Sequence, residues 1–246
     1  MNAAPWTEIR DVRRPAPPCA NAVDLWLIDL DGARPSITGA LNVEERRRAG
    51  RFAFARDARR FAAARGYLRH ILGARLDCPP AEIAFEVGPW GKPALPPSVA
   101  SCLAFNLSHS GGQALIALAH TASLGVDLEE MRPIDGWQGL MDTFASYEAQ
   151  SILRTRPSAQ MDAFFACWTR REAVVKLWGE GFSADLHSFE VSTDPDAPAR
   201  ILSVTRPGIT AADISLWSFK ATPRSWAALA IPAVGGSVEL RFWRLI

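Results

Sequence analysis

The chain has 246 residues, 48% of them hydrophobic, and its 27 Lys and Arg against 26 Asp and Glu leave a net charge of +1. That length can bury a substantial core, as one large domain or two modest ones. The charge balance excludes a uniformly basic nucleic-acid-binding coat, and 22% charged residues at this apolar content exclude disorder. The cations are nonetheless clustered. Only Lys92, Lys176 and Lys220 are lysines, and the stretch from Arg46 to Arg75 holds ten arginines with one acid, Asp57.

The opening MNAAPWTEIR lacks a basic-then-apolar signal, and no apolar run approaches the ~20 residues of a membrane span. A soluble, cytoplasmic protein without membrane or nucleic-acid partners is expected. Cys19, Cys78, Cys102 and Cys167 form no C-x-x-C and the histidines are scattered, which suits reduced thiols better than a zinc site. Residues 23–30 (VDLWLIDL) read as a strand bounded by Asp31-Gly32. Asn42, three residues before Glu45, is a capping-box signal for a helix. A second helix is expected from about Asp57, with Phe61, Leu68, Ile71 and Leu72 on one face, the arginines mostly off it, and Gly73 as its stop.

Strands are then expected at 83–87, 102–107, 114–119 and 123–129. Helices follow at 144–153 and 161–178, and strands return at 188–192, 214–219, 226–231 and 238–243. Helices followed by strands, twice over, point to two α+β halves, 1–122 and 123–246.

Three constellations carry chemistry. In Gly125-Val126-Asp127-Leu128-Glu129-Glu130, strand periodicity projects Asp127 and Glu129 to one side while Val126 and Leu128 face the core. Paired carboxylates repel unless a cation intervenes, and oxygen ligands of this kind suit Mg²⁺, or Mn²⁺, completed by a phosphate. A solvated strand end is the alternative. In WTRREAVVK, Trp168, Glu172 and Lys176 recur every four residues on one helical stripe; a simple Glu172–Lys176 ion pair would also explain the spacing. In FNLSHSGG, an apolar strand runs into Ser108, His109, Ser110 and two glycines, a plausible phosphate cradle. A structural histidine is the alternative. No G-x-S-x-G elbow supports a serine hydrolase, and Pro93 after Gly91-Lys92 breaks the Walker A pattern.

GKP, FNLSHSGG, GVDLEE and WTRREAVVK followed by GEGF, in this order and after a basic RRRAGRF…RDARRF block, resemble the Sfp-type 4'-phosphopantetheinyl transferases over residues 44–191. The resemblance implies an α+β pseudo-dimer of two similar halves in one monomeric chain, with the active site in the cleft between them. It also implies a reaction: transfer of the phosphopantetheine arm of coenzyme A to a serine of an apo acyl or peptidyl carrier protein of fatty-acid, polyketide or non-ribosomal-peptide synthesis, releasing 3',5'-ADP.

By the same resemblance Asp127, Glu129 and Glu172 hold Mg²⁺, and Lys176 reaches the pyrophosphate. Lys92, Ser108 and His109 match positions around the adenosine 3'-phosphate, and Arg48, Arg51 and Arg60 direct charge at the nucleotide phosphates. Arg171 replaces the family's usual lysine, with a role in ion-pairing Glu172 or orienting phosphate still open to it. Residues 131–140 are expected to meet the carrier, with Trp137 as an exposed aromatic. Competing readings are an inactive coenzyme A- or carrier-binding module of the same fold, and a metal-dependent phosphohydrolase.

Overall fold

The computed structural model describes residues 3–13, 15, 16, 18, 21–88, 90–99, 103–181 and 185–246. Cys19, Cys102 and Phe182 of the GEGF motif lie outside them. The N-terminal half contains β1 (Thr7–Ile9), β2 (Ala22–Asp29), α1 (Pro35–Thr38), α2 (Val43–Ala49) and α3 (Ala55–Leu76). After these come β3 (Glu86–Val87), β4 (Pro93–Ala94), β5 (Leu103–Ser110) and β6 (Gln113–His120). The C-terminal half contains β7 (Gly125–Glu130), α4 (Ser146–Arg154), α5 (Pro157–Trp178), β8 (Phe189–Val191) and β9 (Ile201–Val204). It ends in β10 (Ile214–Thr222), β11 (Ser225–Pro232) and β12 (Glu239–Leu245).

Four layers result: α3, a sheet ordered β1-β12-β2-β6-β5, a sheet ordered β10-β11-β7, and α5. Strand β2 shows why its sequence is apolar without alternation: both its faces are covered. Trp26 and Ile28 pack under Leu68, Ile71 and Leu72 of α3, whereas Leu25 and Leu27 meet Val126, Leu128 and Leu229 of the other sheet. Strand β11 repeats the scheme, with Trp226, Ala228 and Ala230 against α5 and Ala227 and Leu229 in the central layer. Each half is thus a sheet with one 22-residue helix on its outer face, the α+β pseudo-dimer arrangement. The last strand crosses the expected boundary after residue 122. Although β12 lies at the end of the chain, it pairs in parallel with β1 and β2 in the sheet of the N-terminal half.

Several local expectations change. The capping box forms as read, with Asn42 Oδ1 accepting from Glu45 N at 2.9 Å and Glu45 Oε2 accepting from Asn42 N at 3.0 Å. Helix α3, however, does not stop at Gly73; it runs to Leu76 and is capped by Asp77 in the left-handed region, φ 51°. Gly73 is small for another reason: a Cβ there would collide with Cys78 O. The arginines of α3 lie mostly off the buried face, as expected, with Arg69 an exception. Arg69 is fully buried, donating to Glu45 Oε2 at 2.6 Å and to Ile83 O at 2.9 Å, and Arg65 donates to Glu45 Oε1 at 2.8 Å. The strand expected at 83–87 shrinks to two residues, while β5 extends through Ser110. Among the described residues no helix is long and apolar enough to cross a membrane.

Candidate active site

Strands β5 and β7 are each the outermost strand of their sheet, and they lie side by side without sharing a backbone ladder. Alternate side chains of β5 make the connection instead. Asn106 Oδ1 accepts from Val126 N at 2.9 Å, and Ser108 Oγ donates to Asp127 Oδ1 at 2.8 Å. Ser110 Oγ donates to Glu129 Oε2 at 2.6 Å and accepts from Glu130 N at 3.0 Å. Asn106 is not singled out in the sequence and Ser110 reads there as part of a phosphate cradle; their period-2 spacing with Ser108 is the signal for this junction. The two glycines after Ser110 close a hairpin rather than open a loop. Gly111 takes φ +57°, where a Cβ would also run into the Glu130 carboxylate.

Helix α5 reaches this junction because Gly125 lets it rest directly on β7: a Cβ at 125 would collide with Ala173 O and Leu177 N. Glu172 and Lys176, one turn apart, therefore stand beside Asp127. Lys176 Nζ donates to Asp127 Oδ1 at 2.6 Å and to Ser108 Oγ at 2.9 Å, rather than to Glu172. A cavity of about 620 Å³ opens here. Its lining gathers Arg48, Ser108, His109, Asp127, Glu129, Glu172 and Lys176 from the residues expected of the site, with Trp168 and Arg65 added from α5 and α3.

Three expected residues are not brought to it. Arg51 is exposed, and Arg60 grips Asp31 through Nε at 2.7 Å and a terminal nitrogen at 2.6 Å. Lys92 turns its ammonium to the carbonyls of Lys176 and Leu124, at 2.6 and 2.8 Å. Arg171, too, points elsewhere. It is buried, donates to Glu148 Oε2 at 2.5 Å and to Leu186 O, and lies 4.6 Å over the Phe189 ring. Trp137 is partly buried and edge-on to Phe164, at 5.6 Å between centroids, not an exposed docking aromatic.

The electrostatics follow from crowding. Burial, then the charge of Asp127, raises both Glu129 and Glu172 above the ordinary carboxylate range. Burial, with Lys176 and Arg48 next, lowers His109, so its imidazole is neutral at pH 7. Asp127 Oδ2 is buried without a hydrogen-bond partner. Among the described residues no three His, Cys, Asp or Glu side chains converge into a formed metal cage. The donor set still fits Mg²⁺, which favours one or two carboxylates completed by water and phosphate over an all-protein cage. An unsatisfied Asp127 oxygen amid mutually repelling carboxylates is what such an ion would relieve.

Two family models match the chain. Residues 35–121 match the model "4'-phosphopantetheinyl transferase, N-terminal", and residues 123–230 match that of the 4'-phosphopantetheinyl transferase superfamily. The chain belongs to the 4'-phosphopantetheinyl transferase superfamily. It is 35% identical over 239 residues to the 4'-phosphopantetheinyl transferase HetI of Nostoc sp., covering 93% of this chain and 96% of that one. It is 33% identical over 184 residues to the 4'-phosphopantetheinyl transferase psf-1 of Bacillus pumilus, covering 73% and 77% of the two chains.

Proposed function

We propose that this chain transfers the 4'-phosphopantetheine arm of coenzyme A to a serine hydroxyl of an apo carrier protein of fatty-acid, polyketide or non-ribosomal-peptide synthesis. The observation that carries the reading is the meeting of Asp127, Glu129, Glu172 and Lys176 in one cavity with Arg48 and His109. Coenzyme A brings roughly four negative charges; Lys176, Arg48 and Arg65 would offer charge-assisted hydrogen bonds to it, and a divalent ion on the carboxylates would supply the further positive charge. Neutral His109 and the Ser108 hydroxyl offer further contacts to phosphate oxygens.

Asp127, Glu129 and Glu172 would hold Mg²⁺, or Mn²⁺ in its place, supplying Lewis-acid activation of the pyrophosphate when bound. In the transfer, the serine oxygen forms a bond to the phosphorus that carries pantetheine. The bond from that phosphorus to the bridging oxygen breaks, and 3',5'-ADP leaves with the electron pair. Such a reaction depends on positioning and charge more than on covalent help from the protein. Glu172, which lines the same cavity beside Asp127, is the carboxylate placed to accept the serine proton in this reading. A monomeric, cytoplasmic enzyme is part of the same reading, since one chain lines the cavity from both halves.

The test is incubation with coenzyme A, Mg²⁺ and a panel of apo carrier proteins. The expected result is a carrier mass gain of one phosphopantetheine with stoichiometric 3',5'-ADP. Coenzyme A cleavage without carrier modification, or no reaction with any carrier, would overturn the proposal.

A further inference from the structure

The Gly91-Lys92-Pro93 turn lies between two cavities. Gly91 and Pro93 line the carboxylate cavity, whereas Lys92 is absent from that lining and, with Pro93, lines a second cavity of about 570 Å³. Gly91 makes the turn possible by adopting φ +84°. The Lys92 ammonium donates to Lys176 O at 2.6 Å, Leu124 O at 2.8 Å and Ser123 Oγ at 3.2 Å. An ammonium has three protons, and all three are engaged. Ser123 Oγ in turn donates to Leu177 O at 2.8 Å.

The last carbonyls of a helix have no partner within it. In α5, Gly179 N satisfies Val175 O, Lys92 satisfies Lys176 O, and Ser123 satisfies Leu177 O. A cation at this end also opposes the negative end of the helix dipole. The residue whose carbonyl Lys92 holds is the one whose side chain reaches Asp127 and Ser108.

We infer that Lys92 is a positioning residue rather than a phosphate ligand: it pins the last turn of α5 to the start of β7 and so fixes Lys176 in the cavity. Its kinetic consequence rests on the transferase reading; the pin itself does not. Lys92→Met and the milder Ser123→Ala are compared with the unaltered protein in three measurements. Amide hydrogen exchange over 176–179 is expected to accelerate about tenfold in Lys92→Met, the effect of losing one charge-assisted hydrogen bond from local opening. Turnover with an apo carrier is expected to fall about tenfold to a hundredfold through misplacement of Lys176. Calorimetric affinities for coenzyme A and for dephospho-coenzyme A, which lacks the 3'-phosphate, are expected to change by the same factor.

A loss of affinity for coenzyme A that spares dephospho-coenzyme A would overturn the inference and restore Lys92 as a phosphate ligand. Unaltered exchange in that helical turn would also overturn it. If Lys92→Met does not fold, Ser123→Ala carries the test, with faster exchange at the same turn and a smaller loss of turnover expected. An unaltered protein that modifies no carrier would sink the transferase reading, and exchange would still decide the pin.

Discussion

Replacing Arg171 with lysine keeps the charge, and the sequence alone suggests that it is harmless. The structure predicts otherwise. Arg171 is 4% exposed, and its guanidinium donates to Glu148 and to the carbonyls of Leu186 and Phe189 and lies over the Phe189 ring at 4.6 Å. Burial outweighs Arg171 in setting the Glu148 proton affinity, which is raised, so the pair is costly to bury and costlier to break.

A lysine point charge can still meet Glu148, but it cannot fork to the two carbonyls or stack on the ring. Losing the forked contacts and the stacking should cost about 2–4 kcal/mol. For a chain of this size that is roughly 5–15 °C in Tm. Arg171→Met should be worse, about 3–5 kcal/mol, because Glu148 is left buried and unpaired. Adding Glu148→Gln to Arg171→Met should recover part of that loss.

Urea unfolding monitored by circular dichroism measures these differences, with an unchanged m value as the control for two-state behaviour. Turnover per folded molecule should stay near normal below the transition. Stability of Arg171→Lys within about 0.5 kcal/mol of the parent would refute the reasoning. So would a specific loss of coenzyme A affinity in a fully stable variant.

Three further changes test the site and its supports. Ser110→Ala removes the hydroxyl that holds Glu129 Oε2 and should lower activity about 10–100-fold while raising the Mg²⁺ concentration required, as support residues of metal ligands do; an unchanged Mg²⁺ titration would count against it. His109→Ala should weaken coenzyme A binding while kcat survives, and calorimetry showing unaltered affinity would remove the imidazole from the phosphate contacts. Glu45 is pushed up by burial, but Arg69 and then Arg65 outweigh this and hold it below its ordinary 4.5. Its stabilising contribution is therefore full above about pH 4.5 and lost as pH falls through the lower folded value. Glu45→Gln should flatten that acid limb in unfolding midpoints measured across pH 3–6, and an unaltered limb would place the acid sensitivity elsewhere.

Elements whose residues act locally were legible in the sequence. The capping box of Asn42 and Glu45 needs only a three-residue span, and the stripe of Trp168, Glu172 and Lys176 follows from helical pitch. What escaped depends on partners far along the chain. Nothing near Arg171 announces Glu148, 23 residues away, and nothing near Arg69 announces Glu45, 24 residues away. Parallel pairing of β12 with β2 joins segments more than two hundred residues apart. Gly73 carried a helix-stop signal, yet its small size answers to the close approach of Cys78 O.

The arginine block shows the same limit with a consequence for chemistry. A count of ten cations suggested a broad phosphate-binding wall, but Arg60, Arg69 and Arg75 are occupied by Asp31, Glu45 and Asp24. Of the block, Arg48 and Arg65 line the cavity, and Arg65 already answers Glu45. With Lys176 they barely balance Asp127, Glu129 and Glu172, leaving little surplus charge for a polyphosphate. On the proposed reading, a cavity so balanced would gain its attraction for coenzyme A from a divalent ion added to the carboxylates, so affinity for coenzyme A and for Mg²⁺ should rise together.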